Sequence, residues 1–130
     1  KRHEQIANIN ISNASDSTKS KGEYTNILDL PLINNLETLH IKFHCYRKTT
    51  LANDIQLIFE IKDSDGNSLY WDSCQIPIYE GGNWSDFDYD GKINVTKYTG
   101  EDSILKIYIW NKGAKECYIT GIQLYIDNIH

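Results

Sequence analysis

The residues best suited to chemistry in this chain are flat rings interleaved with hydroxyl-reading groups. A sugar ring presents a face of C–H bonds that an aromatic ring can cover, while Asn, Asp, Gln or His nearby reads its hydroxyls. Tyr46, Tyr70, Trp84, Tyr108, Trp110 and Tyr125 are the rings for such a ligand surface, with His44 and Gln123 as polar partners. Trp71 and Tyr89 are further rings, and His40, Gln56 and Asp72 further polar groups. Trp71 keeps the register of Leu69 and is expected on the covered side of its strand.

Three other sets invite a chemical reading and support less. His40 and His44 share one strand face, but four strand residues span about 13 Å, too far for both to hold one metal ion. They read as surface histidines. Asp63, Asp65 and Asn67 match the start of a calcium loop, yet residue 74 is Cys where an EF-hand needs Glu. A hairpin turn is the expectation there. Asp86, Asp88 and Asp90 form an acidic stripe, read as a solvated strand face or a weak cation site rather than a glycosidase pair. No Gly-x-Ser-x-Gly elbow, phosphate-cradling glycine loop or Cys/His nucleophile pattern appears. The chain is therefore expected to be non-catalytic.

These groups need a scaffold, and the side-chain rhythm supplies one. Period-two alternation predicts strands over 4–12, 24–30, 37–47, 54–62, 69–79, 84–89, 92–98, 105–111 and 117–126. Leu105, Ile107 and Ile109 face inward while Lys106, Tyr108 and Trp110 face outward. Residues 13–22, 48–53 and 80–83 read as loops. Turns are expected at Asn34-Asn35, at Asp65-Gly66 as a tight hairpin, at Asp90-Gly91, and at Lys112-Gly113, the last closing a C-terminal hairpin. Pro77 points to an edge strand or bulge. The inward register switches from Cys117 and Ile119 to Ile122, Leu124 and Ile126 across Gly121, the mark of a bulge. Eight or nine such strands without a helical stripe predict an all-β fold: a two-sheet antiparallel β-sandwich, best matched by a jelly roll.

The chain has 130 residues, read as a single domain over 1–130. A net charge of -5 with mixed signs argues against a nucleic-acid partner. No apolar run approaches the roughly 20 residues of a transmembrane helix. Cys45, Cys74 and Cys117 are an odd set and read as free, buried thiols. The chain contains no Met and opens with Lys1-Arg2-His3, so excision from a larger protein is expected. Plentiful Ile, Asn, Lys and Tyr beside scarce Ala suggest AT-rich codons and a bacterial source.

Three fragments resemble carbohydrate-binding modules and galactose-binding-like jelly-roll domains. Asp63 to Trp71 is similar to the "D-x-x-G-x-x-x-Y-W" hairpin of such domains. Trp84 with Phe87 is similar to their "W-x-x-F" segment. Leu105 to Asn111 with Tyr118-Ile119 resembles their closing "Y-x-W-N … Y-I-D-D" pair. The resemblance implies a non-catalytic accessory domain that holds an oligo- or polysaccharide by aromatic stacking and polar contacts. It also implies a periplasmic, cell-surface or secreted protein, and a structural calcium ion held at the ends of the first and last strands. Glu4 and Asp127 are the oxygen donors there, although Thr120-Gly121 replaces the aspartate pair of the pattern. The alternative is a structural or protein-interaction domain of a cell-surface or envelope protein, its outward rings buried against a neighbouring protein domain.

Overall fold

Strands form wherever the alternation runs. The computed structural model describes residues 3–11, 16–18, 23–48, 54–77, 84–113 and 117–130. They contain β1 (His3–Ile11), β2 (Asp16–Thr18), β3 (Glu23–Pro31), β4 (Thr38–Lys48), β5 (Ile55–Lys62), β6 (Ser68–Ile76), β7 (Ser85–Asn94), β8 (Ile104–Asn111) and β9 (Cys117–Ile129). A single 3-10 turn, Thr96–Tyr98, is the one helical element among the described residues. Of the expected loops 13–22, 48–53 and 80–83, residues 13–15, 19–22, 49–53 and 80–83 lie outside the described residues, while Lys48 ends β4.

Four antiparallel pairings nest inside one another: β1 with β9, β3 with β8, β4 with β7, and β5 with β6. This is a long hairpin whose tip is β5–β6, wrapped into two layers. One sheet has the order β1-β9-β4-β7, with β2 also on β9; the other has the order β3-β8-β5-β6. That nesting is the jelly roll, and the expected all-β sandwich is the observed fold.

The core lies between the inner faces. Leu39, Ile41, Phe43 and Cys45 of β4 meet Ile55, Leu57, Phe59 and Ile61 of β5, all at most 2% exposed. Each fully buried Leu, Ile or Phe contributes about 1.5–3 kcal/mol. The central strands β4, β5, β8 and β9 carry most of these residues, and the edge strands β6 and β7 alternate with more exposed positions.

Four sequence expectations change in three dimensions. Residues 16–18, read as loop, form β2, which pairs with Ile119 to Cys117 of β9. Strand β1 covers β9 only from Ile122 onward, so β2 satisfies backbone groups that β1 leaves open. Asp90-Gly91 is not a turn: β7 runs straight through it, and Gly91 pairs with Ile41. A Cβ on Gly91 would collide with the Tyr89 ring, so the glycine provides close approach rather than a reversal. The second strand expected over 92–98 is the end of β7 plus the 3-10 turn. Strands β8 and β9 do not form a closing hairpin, because they belong to opposite sheets.

Other local readings hold. Gly66 has φ +84°, while Asp63 accepts hydrogen bonds from the Asp65 and Asn67 amides at 3.0 and 2.8 Å, which closes the β5–β6 hairpin. Strand β6 is an edge strand that stops at Ile76, just before Pro77. Gly121 has φ +62° and sits where the β4–β9 register shifts, between His44↔Gln123 and Tyr46↔Thr120.

Candidate functional site

Two outward faces carry the chemistry. On the outer side of β3-β8-β5-β6, the register aligns Tyr24, Trp110 and Gln56 in one row and Asn26, Tyr108 and Ile58 in the next. The row beyond holds Asp29, Lys106, Glu60 and Trp71. Tyr24 stacks on Trp110 with centroids 5.6 Å apart and planes 12° from parallel, and meets Tyr108 edge-on at 5.5 Å. Lys112 Nζ lies 5.2 Å from the Trp110 ring. The rings therefore pack mainly on each other. Ile58, directly opposite Tyr108, is 0% exposed although it points away from the core.

Tyr108 donates its hydroxyl to Glu60 Oε1 at 3.0 Å. Burial, and then this bond to a carboxylate, push the Tyr108 hydroxyl up to about 12. Trp71 also hydrogen-bonds this hydroxyl. Lys106 Nζ pairs with Asp29 at 3.1 Å. An open depression of about 480 Å³ lies among Tyr24, Asn26, Glu60, Lys62, Lys106 and Tyr108. Around it stand exposed Tyr24, Leu69, Trp71 and Ile104. Trp71 is thus on the outer face, half exposed, and not on the covered side as its register with Leu69 predicted; Leu69 itself is exposed.

On the outer side of β1-β9-β4-β7 the neighbours are ionisable. The cross-strand rows are Asp127–His40–Lys92, Tyr125–Lys42–Asp90, Gln123–His44–Asp88 and Thr120–Tyr46–Asp86. His40 Nε2 sits 2.6 Å from Asp90 Oδ1, and this bond holds the Asp90 carboxyl below its usual range. His44 Nε2 lies 3.9 Å from Asp86 Oδ2. A depression of about 400 Å³ opens between His44, Asp88, Asp90, Gln123 and Tyr125.

The sequence-predicted ligand residues therefore divide. Tyr108 and Trp110 share one face, and Tyr46, His44, Gln123 and Tyr125 share the other. Trp84 stands apart, just before β7, with Lys48 Nζ 5.8 Å from its ring. Tyr70 reaches neither face: it packs against the core beside Tyr98, at 6.3 Å between ring centroids. Glu4 pairs with Asn128 while Asp127 pairs with Gln5, which puts the two acids on opposite faces of the sheet. The structure does not bring them together as one ligand set. The three cysteines are free; burial pushes Cys45 up to about 12 and Cys117 up to about 11, so neither is a thiolate at neutral pH.

Sequence reasoning missed Tyr24, Asn26, Glu60, Lys62 and Lys106, which line the depression on the ring-covered face. Each sits at an outward position of an alternating strand. The absent signal was strand order, which alone sets Tyr24 beside Trp110.

No protein-family model matches this chain, and no curated protein does. Solved structures share its fold. It is similar to the VP2 subviral particle protein of infectious bursal disease virus at TM-score 0.68 and 12% identity, over 98% of this chain and 33% of that one. T=1 particles derived from that virus give TM-score 0.69 and 11% identity, over 98% and 32%. The Gx strain gives TM-score 0.65 and 12% identity, over 97% and 33%. This chain thus spans about a third of the length of those proteins, and at these identities the shared feature is the β-sandwich jelly roll itself.

Proposed function

We propose that this is a non-catalytic structural domain that docks through the outer face of β3-β8-β5-β6 onto a second copy of the same chain. The observation behind this reading is the self-packed ring layer. Ile58 is wholly covered, Trp110 is stacked by Tyr24, and Tyr24 and Trp71 remain 57% and 50% exposed above it. The stacking of Trp110 under Tyr24 removes one ring face from a sugar, whereas a protein interface gains from a broad apolar surface with Tyr and Trp at its centre. Charge supports the choice of occupant. Asp29 and Glu60 balance Lys62 and Lys106 on this face, so two copies can meet there although the chain carries a net -5. The acidic residues of β7 lie on the other face. The similar solved structures are of virus particles, and they bear on the fold alone.

Sedimentation equilibrium over a range of concentrations tests this reading. Self-association that is abolished by Trp71→Ser is the expected result. A strictly monomeric protein at every concentration overturns it.

One observation favours a second reading, glycan binding in the depression beside Tyr24. Its polar lining, Asn26, Glu60 and Lys106, could read hydroxyls while the free side of Tyr24 covers a sugar face. Glycan-array binding lost on Tyr24→Ala, from a protein that stays monomeric, would favour that reading over the first.

A further inference from the structure

The ionisable face holds a constellation that self-association through the opposite face does not use. His44 of β4 lies directly across from Asp88 of β7, and Asp86 follows two residues along the same edge strand. Paired positions share a face, with Cβ atoms about 4.5–5.5 Å apart. One ligand atom from each of His44, Asp86 and Asp88 falls within 4.8 Å of the others. Bonds of about 2.0–2.2 Å to a tetrahedral ion separate ligand atoms by roughly 3.4 Å. Asp86 and Asp88 are exposed, so a change of rotamer is open to their carboxylates.

The imidazole packs against a neighbouring ring. Tyr46 stands perpendicular to the His44 ring at 4.8 Å between centroids. The Tyr46 ring is itself seated over Gly121, where a Cβ would lie 2.8 Å from its Cδ2. The missing Cβ at the β9 bulge leaves room for the Tyr46 ring, which packs edge-on against His44. The ring turns Nε2 toward Asp86, 3.9 Å from its Oδ2, while Nδ1 is buried with no hydrogen-bond partner among the described residues. The depression lined by His44 and Asp88 opens at the same place.

We infer that His44, Asp86 and Asp88 form a three-ligand site for a divalent transition cation of the zinc class, which ties edge strand β7 to β4. One imidazole and two carboxylates suit a borderline cation better than calcium, which prefers an all-oxygen shell. Water completes the coordination, and the site's role is structural. Lys42 and Lys92 also lie on this face and oppose the cation's charge, whereas Asp90 is engaged by His40.

The test is a zinc chloride titration of the whole domain, followed by calorimetry and by the histidine ring signals in NMR. The His44 ring is expected to move first, with one equivalent bound at that site. His44→Gln and Asp88→Asn should each weaken this binding by at least about tenfold, while His40→Gln leaves it in place. Trp71→Ser should not alter it, so the outcome is independent of self-association. Zinc bound elsewhere with His44 silent, unchanged affinity in both His44→Gln and Asp88→Asn, or a site that takes calcium in preference to zinc would overturn the inference.

Discussion

On the outer side of β3-β8-β5-β6, the cross-strand neighbours are rings; on the outer side of β1-β9-β4-β7, they are imidazoles, carboxylates and lysines. Both faces stand on the same pleated geometry over one core. The first removes apolar surface from water a second time, as Ile58 shows, and so adds to stability outside the core. The second leaves its charges solvated and contributes little by pairing them, because exposed ion pairs are worth about 0–1 kcal/mol. We propose burial against a protein for the first face and capture of a small cation for the second.

The widest contrast comes from truncating one outward residue on each face. Ile58→Ala is expected to destabilise the domain by about 2–4 kcal/mol in urea unfolding. Gln123→Ala should stay within about 0.5 kcal/mol. Equal effects would erase the distinction between the faces. Next in size is Gly121→Ala. A non-glycine residue at φ +62° and the clash with Tyr46 should together lower stability by about 1–2 kcal/mol, and the displaced Tyr46 should weaken zinc binding at His44. Unchanged zinc affinity would separate the bulge from the ionisable site.

The hydroxyl of Tyr108 gives a smaller, pH-resolved contrast. Its folded value of about 12 lies above the ordinary 10.0, so the folded protein retains this proton longer than the unfolded chain. The associated stability is whole below pH 10 and is lost as pH rises toward 12. Glu60→Gln removes the charge that accepts the hydroxyl, and an ultraviolet tyrosine titration should show Tyr108 ionising at lower pH. The smallest effect belongs to the other face. His40→Gln should let the Asp90 carboxyl rise toward its usual range, as read by carboxyl NMR, with its acid-side contribution to stability shrinking accordingly.

Much of this was legible in the chain. Alternation assigned inward and outward positions along 105–111 correctly. The register switch at Gly121 was visible because apolar residues move from odd to even numbers there. What alternation cannot carry is which strand lies beside which. Tyr24 and Trp110 are paired by the nesting of β3 with β8, and His44 and Asp88 by that of β4 with β7. His40 and His44 are too far apart along one strand to share an ion, whereas His44, Asp86 and Asp88 come together across two strands. Asp90-Gly91 mimicked a turn because the need for a small residue there comes from the Tyr89 ring. The expected closing hairpin failed for a topological reason, since in a jelly roll most consecutive strands cross between the sheets.

The most direct test of the docking account is a dilution series of the isotopically labelled domain, followed by NMR. The account predicts concentration-dependent shifts at the Trp71 and Trp110 indoles and along the outward positions of β3, β5 and β8, with His44 and Gln123 still. Shifts confined to the His44 face, or none at any concentration, would contradict it.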